Sequence, residues 1–430
     1  MNYQTAIQVA ALTDVGMRRN NNQDSHSVLL ADSAELWKSR GHLLIVADGM
    51  GGHAGGELAS KLTTDTVPHL YHKHKEDSAP EALERAIREA NSEVHRRGRA
   101  NPDFYNMGTT CTTMAILPEG AVLAHVGDSR AYRLRGDRLE QLTFDHSVQW
   151  ELRAAGLLKE GSELAHSVPK NQITRSVGPN ERVQADIEGP WPIELNDTFL
   201  LCSDGLTGRV EDEEIGLILG CLEPKDAAQV LIDLANLRGG PDNITVIVAR
   251  VVNPAITTAA SGNPTLTVGG SKQLSPVHPA IWIVSAACLL LGLFLTFASA
   301  WIPAGVAALG GIAAGILGLS QRYRGYRSGI VIGQGRRLGK GPYTVTVCTP
   351  NQAFCDRLKR VLAELREAVD AGGWEINWPP YEALYKNVEA SEKSGNHAQA
   401  VRFCGQAISY LMKELRRQGP RTANDSAIGY

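Results

Sequence analysis

The chain lacks a cysteine framework. Its seven cysteines, Cys111, Cys202, Cys221, Cys288, Cys348, Cys355 and Cys404, are scattered over 430 residues without C-x-x-C spacing. That pattern argues against a disulfide scaffold and for a reducing compartment. Charge of one sign is lacking too: 43 Lys and Arg stand against 46 Asp and Glu, a formal net charge of -3. Chain-wide attraction to nucleic acid needs a basic face or stripe, and the N-terminal half shows none. The N-terminus, MNYQTAIQVAALTD, has neither a basic n-region nor a long apolar run, so it does not read as a secretory signal. The residues before the first long apolar run are therefore expected in the cytoplasm. What is present is a globular composition, 43% apolar and 21% charged, in a chain long enough for two or three domains at roughly 150 residues each.

Composition shifts after Val252, where PAITTAASGNPTLTVGGSKQLSPVHP strings together Pro, Gly, Ser and Thr. This reads as a flexible linker over 253–279. Two uncharged apolar runs follow, Ala280 to Ala300 and the Gly-rich Ile302 to Leu319, broken at Trp301-Ile302-Pro303. The first reaches the ~20 residues that a bilayer span needs. The second is shorter and leaves a re-entrant or interfacial segment open. Arg322, Arg324, Arg327, Arg336, Arg337 and Lys340 lie behind it and belong on the cytoplasmic side by the positive-inside rule. With both flanks cytoplasmic, a transmembrane helical hairpin over 280–320 is expected.

Before the linker, HLLIVAD, TTCTTMAIL, AVLAHVGDS, DTFLLCSD and NITVIVARVV cluster β-formers between turn residues. Helical patterns interrupt them at Gly56 to Tyr71, Pro80 to Arg97, Val148 to Ala155 and Lys225 to Leu237. The order predicts an α+β domain over 1–252 with antiparallel sheet. Beyond the apolar runs, Leu358, Val361, Leu362, Leu365 and Val369 share one helical face, and Val401, Cys404, Ile408, Leu411 and Leu415 share another. A small cytoplasmic, mainly helical domain is expected over 321–430. Its last two helices, joined at Ser394-Gly395-Asn396, read as a helical hairpin that could bind a protein partner, cover the first domain or self-associate.

Four acidic turns sit at strand ends: LLIVADGMGGH, VLAHVGDSR, FLLCSDGLT and GGPDNITVIV. One Asp-Gly is an ordinary turn, but four in one domain gather carboxylates that repel one another unless a cation neutralises them. Ligands that are all oxygen suit Mg²⁺ or Mn²⁺. His125 and His146 lie near these turns and are expected to be structural.

Together these residues closely resemble the metal-dependent serine/threonine protein phosphatases of the type 2C class in their bacterial form. Eight motifs carry the resemblance in order from Thr13 to Val252: TDVGMRRNNNQDS, VADGMGGHAGGE, MGTTCTTMAI, HVGDSRAYRLR, QLTFDHS, ITRSVG, LLCSDGLT and GGPDNITVIV. The resemblance implies a four-layer αββα sandwich, two antiparallel sheets flanked by helices with metals at one end. It implies that Asp48 bridges two metal ions with the Gly49 carbonyl as a further ligand, and that Asp204 and Asp242 complete the first ion. Asp24 would be a ligand of the second ion or a hydrogen-bonding partner beside it, where Gln23 replaces a frequent family glutamate, and Asp128 would hold a third. Arg19, rather than its neighbour Arg18, falls where the family binds substrate phosphate, and a guanidinium fork suits a phosphate dianion. His53 would either donate a proton to the leaving oxygen or coordinate water at the rim. The stretch from Val148 to Lys170 corresponds to a mobile flap that influences substrate choice.

The implied reaction is hydrolysis of phosphoserine or phosphothreonine by a water bridging two Mn²⁺ or Mg²⁺ ions. No C-x5-R loop offers a cysteine nucleophile, and Cys202, in an apolar run, is expected in the core. The leading expectation is an inner-membrane enzyme with its catalytic domain in the cytoplasm, opposing bacterial Ser/Thr kinases on phosphorylated proteins. The alternatives are a phosphoprotein-binding scaffold at the membrane and a phosphatase for small phosphoesters or one dedicated regulator.

Overall fold

The computed structural model describes residues 3–51, 54–158, 168–169, 172–268, 277–323, 330–332 and 337–418. His53 and part of the expected flap, 159–167 and Lys170, lie outside the described residues. The chain forms two compact units, Met1–Thr265 with Gly333–Tyr430, and Leu266–Ile332. The C-terminal segment thus shares a unit with the N-terminal domain, where the sequence led us to expect a domain of its own over 321–430.

Two antiparallel sheets make the centre of the larger unit. One runs β1 (Ile7–Asp14), β11 (Ile244–Val251), β10 (Thr198–Cys202), β7 (Arg130–Arg135), β8 (Arg138–Gln141) and β14 (Thr344–Val347). The other runs β2 (Asp24–Leu29), β3 (His42–Met50), β5 (Cys111–Leu117), β6 (Gly120–Val126) and β9 (Asp186–Trp191), with β4 (Gly108–Thr109) beside β3. Side chains alternate faces along a strand, and here both faces are apolar. Phe199, Leu201, Ile247 and Ala249 pack inward with Leu44, Val46, Met114 and Ile116 between the sheets. Leu200, Cys202, Val246 and Val248 pack outward against helices. Burial on both faces is why TFLLC and ITVIVARV read as continuous apolar runs.

Helices Ala54–Lys73 and Ala79–Ala100 pack on the β2–β3–β5–β6 face, and Asp212–Cys221 and Pro224–Leu237 cover the other sheet. The αββα layering implied by the resemblance is present. A further helical layer lies outside it: helix His397–Gln418 packs on Pro224–Leu237 and Asp212–Cys221, with Gln352–Ala371 and Trp378–Lys393 beside it. At Gly405 an added Cβ would stand 3.0 Å from Leu222 Cδ2 and 3.1 Å from Val230 Cγ2, so a larger side chain would push the layers apart. Of the three uses open to the tail hairpin, covering the first domain is the one observed. β14, from the same segment, pairs with the edge of β8. The expected linker also begins later, because Ile256 is buried between the sheets and Thr258 exchanges hydrogen bonds with Ile193.

The smaller unit holds helices Pro279–Phe297 and Trp301–Tyr323 on a short ribbon, β12 (Leu266–Val268) with β13 (Ile330–Ile332). The second run is a continuous helix. The two pack along small residues: Gly311 lies against Leu289 and the Ser285 carbonyl, Gly292 against Ala304 and Ala308, and Ser285 Oγ donates to Gly311 O at 2.8 Å. Close approach through glycine and serine is the usual device for pairing apolar helices.

Candidate active site

Strand register brings the acidic turns to one end of the sandwich. Asp24 stands directly opposite Asp48 across β2 and β3, Cys111 faces Val126, Cys202 faces Val246, and Asp14 faces Ile244. The ends of β3, β6 and β10 and the starts of β2 and β11 therefore meet. Asp48, Asp128, Asp204, Asp242, Arg19 and Gln23 line one cleft of about 270 Å³, and Gly49 also reaches it.

Each turn is held by its own hydrogen bonds. Thr110 Oγ1 accepts from the Asp48 N–H and Thr110 N–H donates to the Asp48 carbonyl, both at 2.8 Å. The Gly49 N–H donates to Gln23 O at 3.1 Å. A Cβ on Gly49 would lie 2.2 Å from Gly56 O and 2.5 Å from Gln23 O, so only glycine fits this approach of two chains. Asn243 ties down the loop 15–23 at three points: its Oδ1 accepts from Gln23 N–H at 2.8 Å, and its Nδ2 donates to Val15 O and Asn21 O at 2.9 and 3.0 Å. Ser203 Oγ donates to Asp24 Oδ2 at 2.7 Å and accepts from Thr245 N–H at 2.9 Å. Thr110, Ser203 and Asn243 lie inside motifs that carry the family resemblance, but their roles depend on partners distant in sequence.

Burial pushes the Asp24 carboxyl up to about 7, against hydrogen bonds from Thr245 and Ser203, while Asp204 and Asp242 push the same way as burial. Asp128 is pushed up to about 8 by burial and then by Asp204 and Asp145. Asp48 is raised well above the carboxylate range by burial and by Asp24, Asp204, Asp128 and Asp242. Asp204 is raised by burial and by Asp242, against a hydrogen bond with Asp48 and the charge of Arg19. Such a cluster must take up protons or cations. Arg19 offers a single positive charge at the rim, its Nη2 2.8 Å from Asp242 Oδ2, with its side chain 48% exposed.

The donor set fits hard divalent ions. It is all oxygen, the carboxylates raise one another, and Asp24 Oδ1 is buried with no hydrogen-bond partner. Among the described residues no three carboxylate, His or Cys side chains close around a single point.

The two histidines are structural, as expected. Their rings stack 4.9 Å apart. His146 Nδ1 accepts from the Gly127 N–H and its Nε2 meets Asp186 Oδ2, both at 3.0 Å, which fixes the turn carrying Asp128. His125 bridges Thr112 Oγ1 and Phe144 O, and burial followed by His146 lowers it to about 3. Cys202 is fully buried and its thiol is pushed up by burial, so it is no nucleophile. Beside Asp128, Arg130 pairs with Asp145 at 2.8 Å, with side chains 19% and 5% exposed. Of the flap, helix Val148–Ala154 is described, and Ile173 beyond it lines the cleft.

A profile of the protein phosphatase 2C family matches residues 18–224. Protein phosphatase PhpP of Streptococcus pneumoniae is 36% identical over 246 residues, covering 56% of this chain and 96% of that protein. Serine/threonine protein phosphatase PstP of Mycobacterium tuberculosis is 36% identical over 264 residues, 60% of this chain and 49% of that protein. Among solved structures, the serine/threonine phosphatase of S. agalactiae superposes with a TM-score of 0.50 at 37% identity, covering 57% of this chain and 99% of that one. Stp1 of Staphylococcus aureus gives 0.51 at 31%, with 58% and 97% covered. The chain belongs to the protein phosphatase 2C family and is a metal-dependent serine/threonine protein phosphatase of the bacterial type.

Proposed function

We propose that this phosphatase works at the cytoplasmic face of the inner membrane, opposing Ser/Thr kinases, with Asp48, Asp204, Asp242 and the Gly49 carbonyl holding one ion. Asp48 is shared with a second ion beside Asp24, and Asp128 takes a third, weaker one. When bound, Mn²⁺ or Mg²⁺ supplies charge neutralisation and an acidified water as nucleophile. Arg19 forks onto the substrate phosphate, and Gln23, in place of a carboxylate, orients water through its amide. His53 is assigned the proton for the leaving oxygen on the resemblance alone.

The convergence of carboxylates from both sheets on one cleft beside Arg19 carries this reading. A phosphoprotein scaffold gains nothing from it, because bare carboxylates repel a phosphate dianion. Since residues 337–418 pack on the catalytic domain, the test uses the full chain: phosphate release from a phosphothreonine peptide with Mn²⁺ and with EDTA. Turnover no higher with Mn²⁺ than with EDTA would sink the catalytic assignment. Asp204→Asn is the control, and a loss of at least ~100-fold is expected because a ligand that builds the nucleophile is gone.

Two features support the anchor. Pro279–Phe297 and Trp301–Gln321 are 19 and 21 residues long with mean hydropathy 2.4 and 1.9, and 19 residues rise about 28 Å, close to a hydrocarbon core of ~30 Å. Their outward residues, such as Phe294, Phe297, Ile302 and Leu309, stand more than half exposed. Deletion of 279–321 is expected to move the protein from the membrane to the soluble fraction; full-length protein already soluble without detergent would refute anchoring.

A further inference from the structure

The helix His397–Gln418 ends beside the active-site loop. Arg416, in its last turn, places Nη2 2.8 Å from Asp233 Oδ1 and 3.6 Å from Asp14 Oδ2. Asp233 lies on helix Pro224–Leu237 with its side chain fully buried; its Oδ1 also accepts from Gln229 Nε2 at 3.0 Å, and its Oδ2 has no hydrogen-bond partner. A carboxylate so placed needs its cation, and the C-terminal helix brings it.

Asp14 relays that contact. It is the last residue of β1, immediately before the loop that carries Arg19 and Gln23. While Oδ2 faces Arg416, Oδ1 accepts from the Gly16 N–H at 2.9 Å and from Asn236 Nδ2 at 3.1 Å. Gly16 has φ +79, and a Cβ there would lie 2.2 Å from Asp242 O and 2.9 Å from Gly240 O. The loop is thus pressed against the segment that bears Asp242. Met17 N–H donates to Gly240 O at 2.7 Å, and Arg19 then reaches Pro241 O at 3.4 Å and Asp242 Oδ2 at 2.8 Å. From Arg416 to the phosphate-facing guanidinium the path is one ion pair, one capped turn and two backbone contacts.

We propose that Arg416 is a positioning residue: through Asp14, the C-terminal helix holds the Arg19 loop and so sets the affinity of the enzyme for its phosphorylated substrate. This rests on Arg19 binding substrate phosphate. The tail then does more than thicken the fold, because a ligand that pulled on this helix would change KM before it changed the chemistry.

The test is steady-state kinetics of the full chain in detergent, with a phosphothreonine peptide and Mn²⁺, alongside Tm. Arg416→Ala is expected to raise KM about fivefold while kcat stays within about twofold, the size of coupling carried by such contacts. Arg416→Lys should restore most of the loss. In an Arg19→Ala background, Arg416→Ala should add no further rise, because the effect passes through Arg19. A lowered Tm with unchanged KM, or an equal KM rise without Arg19, would overturn the proposal. If Arg416→Ala melts too low to assay, Asp14→Asn serves, since it keeps the acceptor for Gly16 but loses the charge facing Arg416; unchanged KM there overturns it equally. Wild-type protein without Mn²⁺-dependent turnover would instead refute the phosphatase assignment on which the proposal stands.

Discussion

Replacing Asp24 by Asn should make the metal-free protein more stable and the enzyme worse. Asp24 faces Asp48 directly across two strands, and like charges so placed are destabilising. Its ordinary value of 3.8 rises to about 7 in the fold. The unfolded carboxyl ionises near 4 and the folded one near 7, so as pH rises between these values the wild type loses stability, and above 7 the loss is constant. Three units at about 1.4 kcal/mol each set a ceiling of roughly 4 kcal/mol. The amide oxygen can still accept from Ser203 Oγ, and its NH₂ can donate to the neighbouring carboxylates. Allowing for water and proton uptake in the metal-free wild type, the expected gain at pH 8 is about 1–2 kcal/mol, or roughly 3–5 °C in Tm.

Thermal melts in EDTA at pH 5 and pH 8, then with Mn²⁺, read this out. The advantage of Asp24→Asn should be larger at pH 8 than at pH 5. Added Mn²⁺ should raise the wild-type Tm more than that of the variant, since binding to the folded state stabilises it by mass action. A variant less stable than wild type in EDTA at pH 8 would refute the electrostatic account of the cluster.

Three further outcomes follow from the packing. Arg19→Ala should raise KM for a phosphothreonine peptide at least tenfold, with a smaller effect on kcat, as expected for loss of about 1.5–3 kcal/mol of charged hydrogen bonding to phosphate; peptide titrations give both constants. Gly405→Leu should cost about 1–3 kcal/mol by forcing the tail helix off Leu222 and Val230, and limited proteolysis should then cut the tail first. Arg130→Met leaves Asp145 buried without its cation, a loss of roughly 3–5 kcal/mol measurable by denaturant unfolding.

The inner sheets were legible because each strand carries its own signal. Three apolar runs that close on Asp48, Asp128 and Asp204, and a fourth that opens just after Asp242, mark both the strands and the site. Helix Asp212–Cys221 carries no helical pattern of its own: it is short, and its apolar run IGLIL, Ile215 to Leu219, shows no polar face because the sheet covers one side and the tail the other. β14 was missed because TVTV is stable only as an edge strand on β8.

By itself the sequence determined which residues could hold metal and which segments could bury themselves, since residue type and period are local properties. Only the tertiary structure decided where the C-terminal helices go. Their apolar faces fit a partner, a second copy or the catalytic domain equally well. Closure of His397–Gln418 onto Pro224–Leu237, with Arg416 between Asp233 and Asp14, depends on shape and charge contributed by residues some 180 to 400 positions apart, which no local pattern encodes.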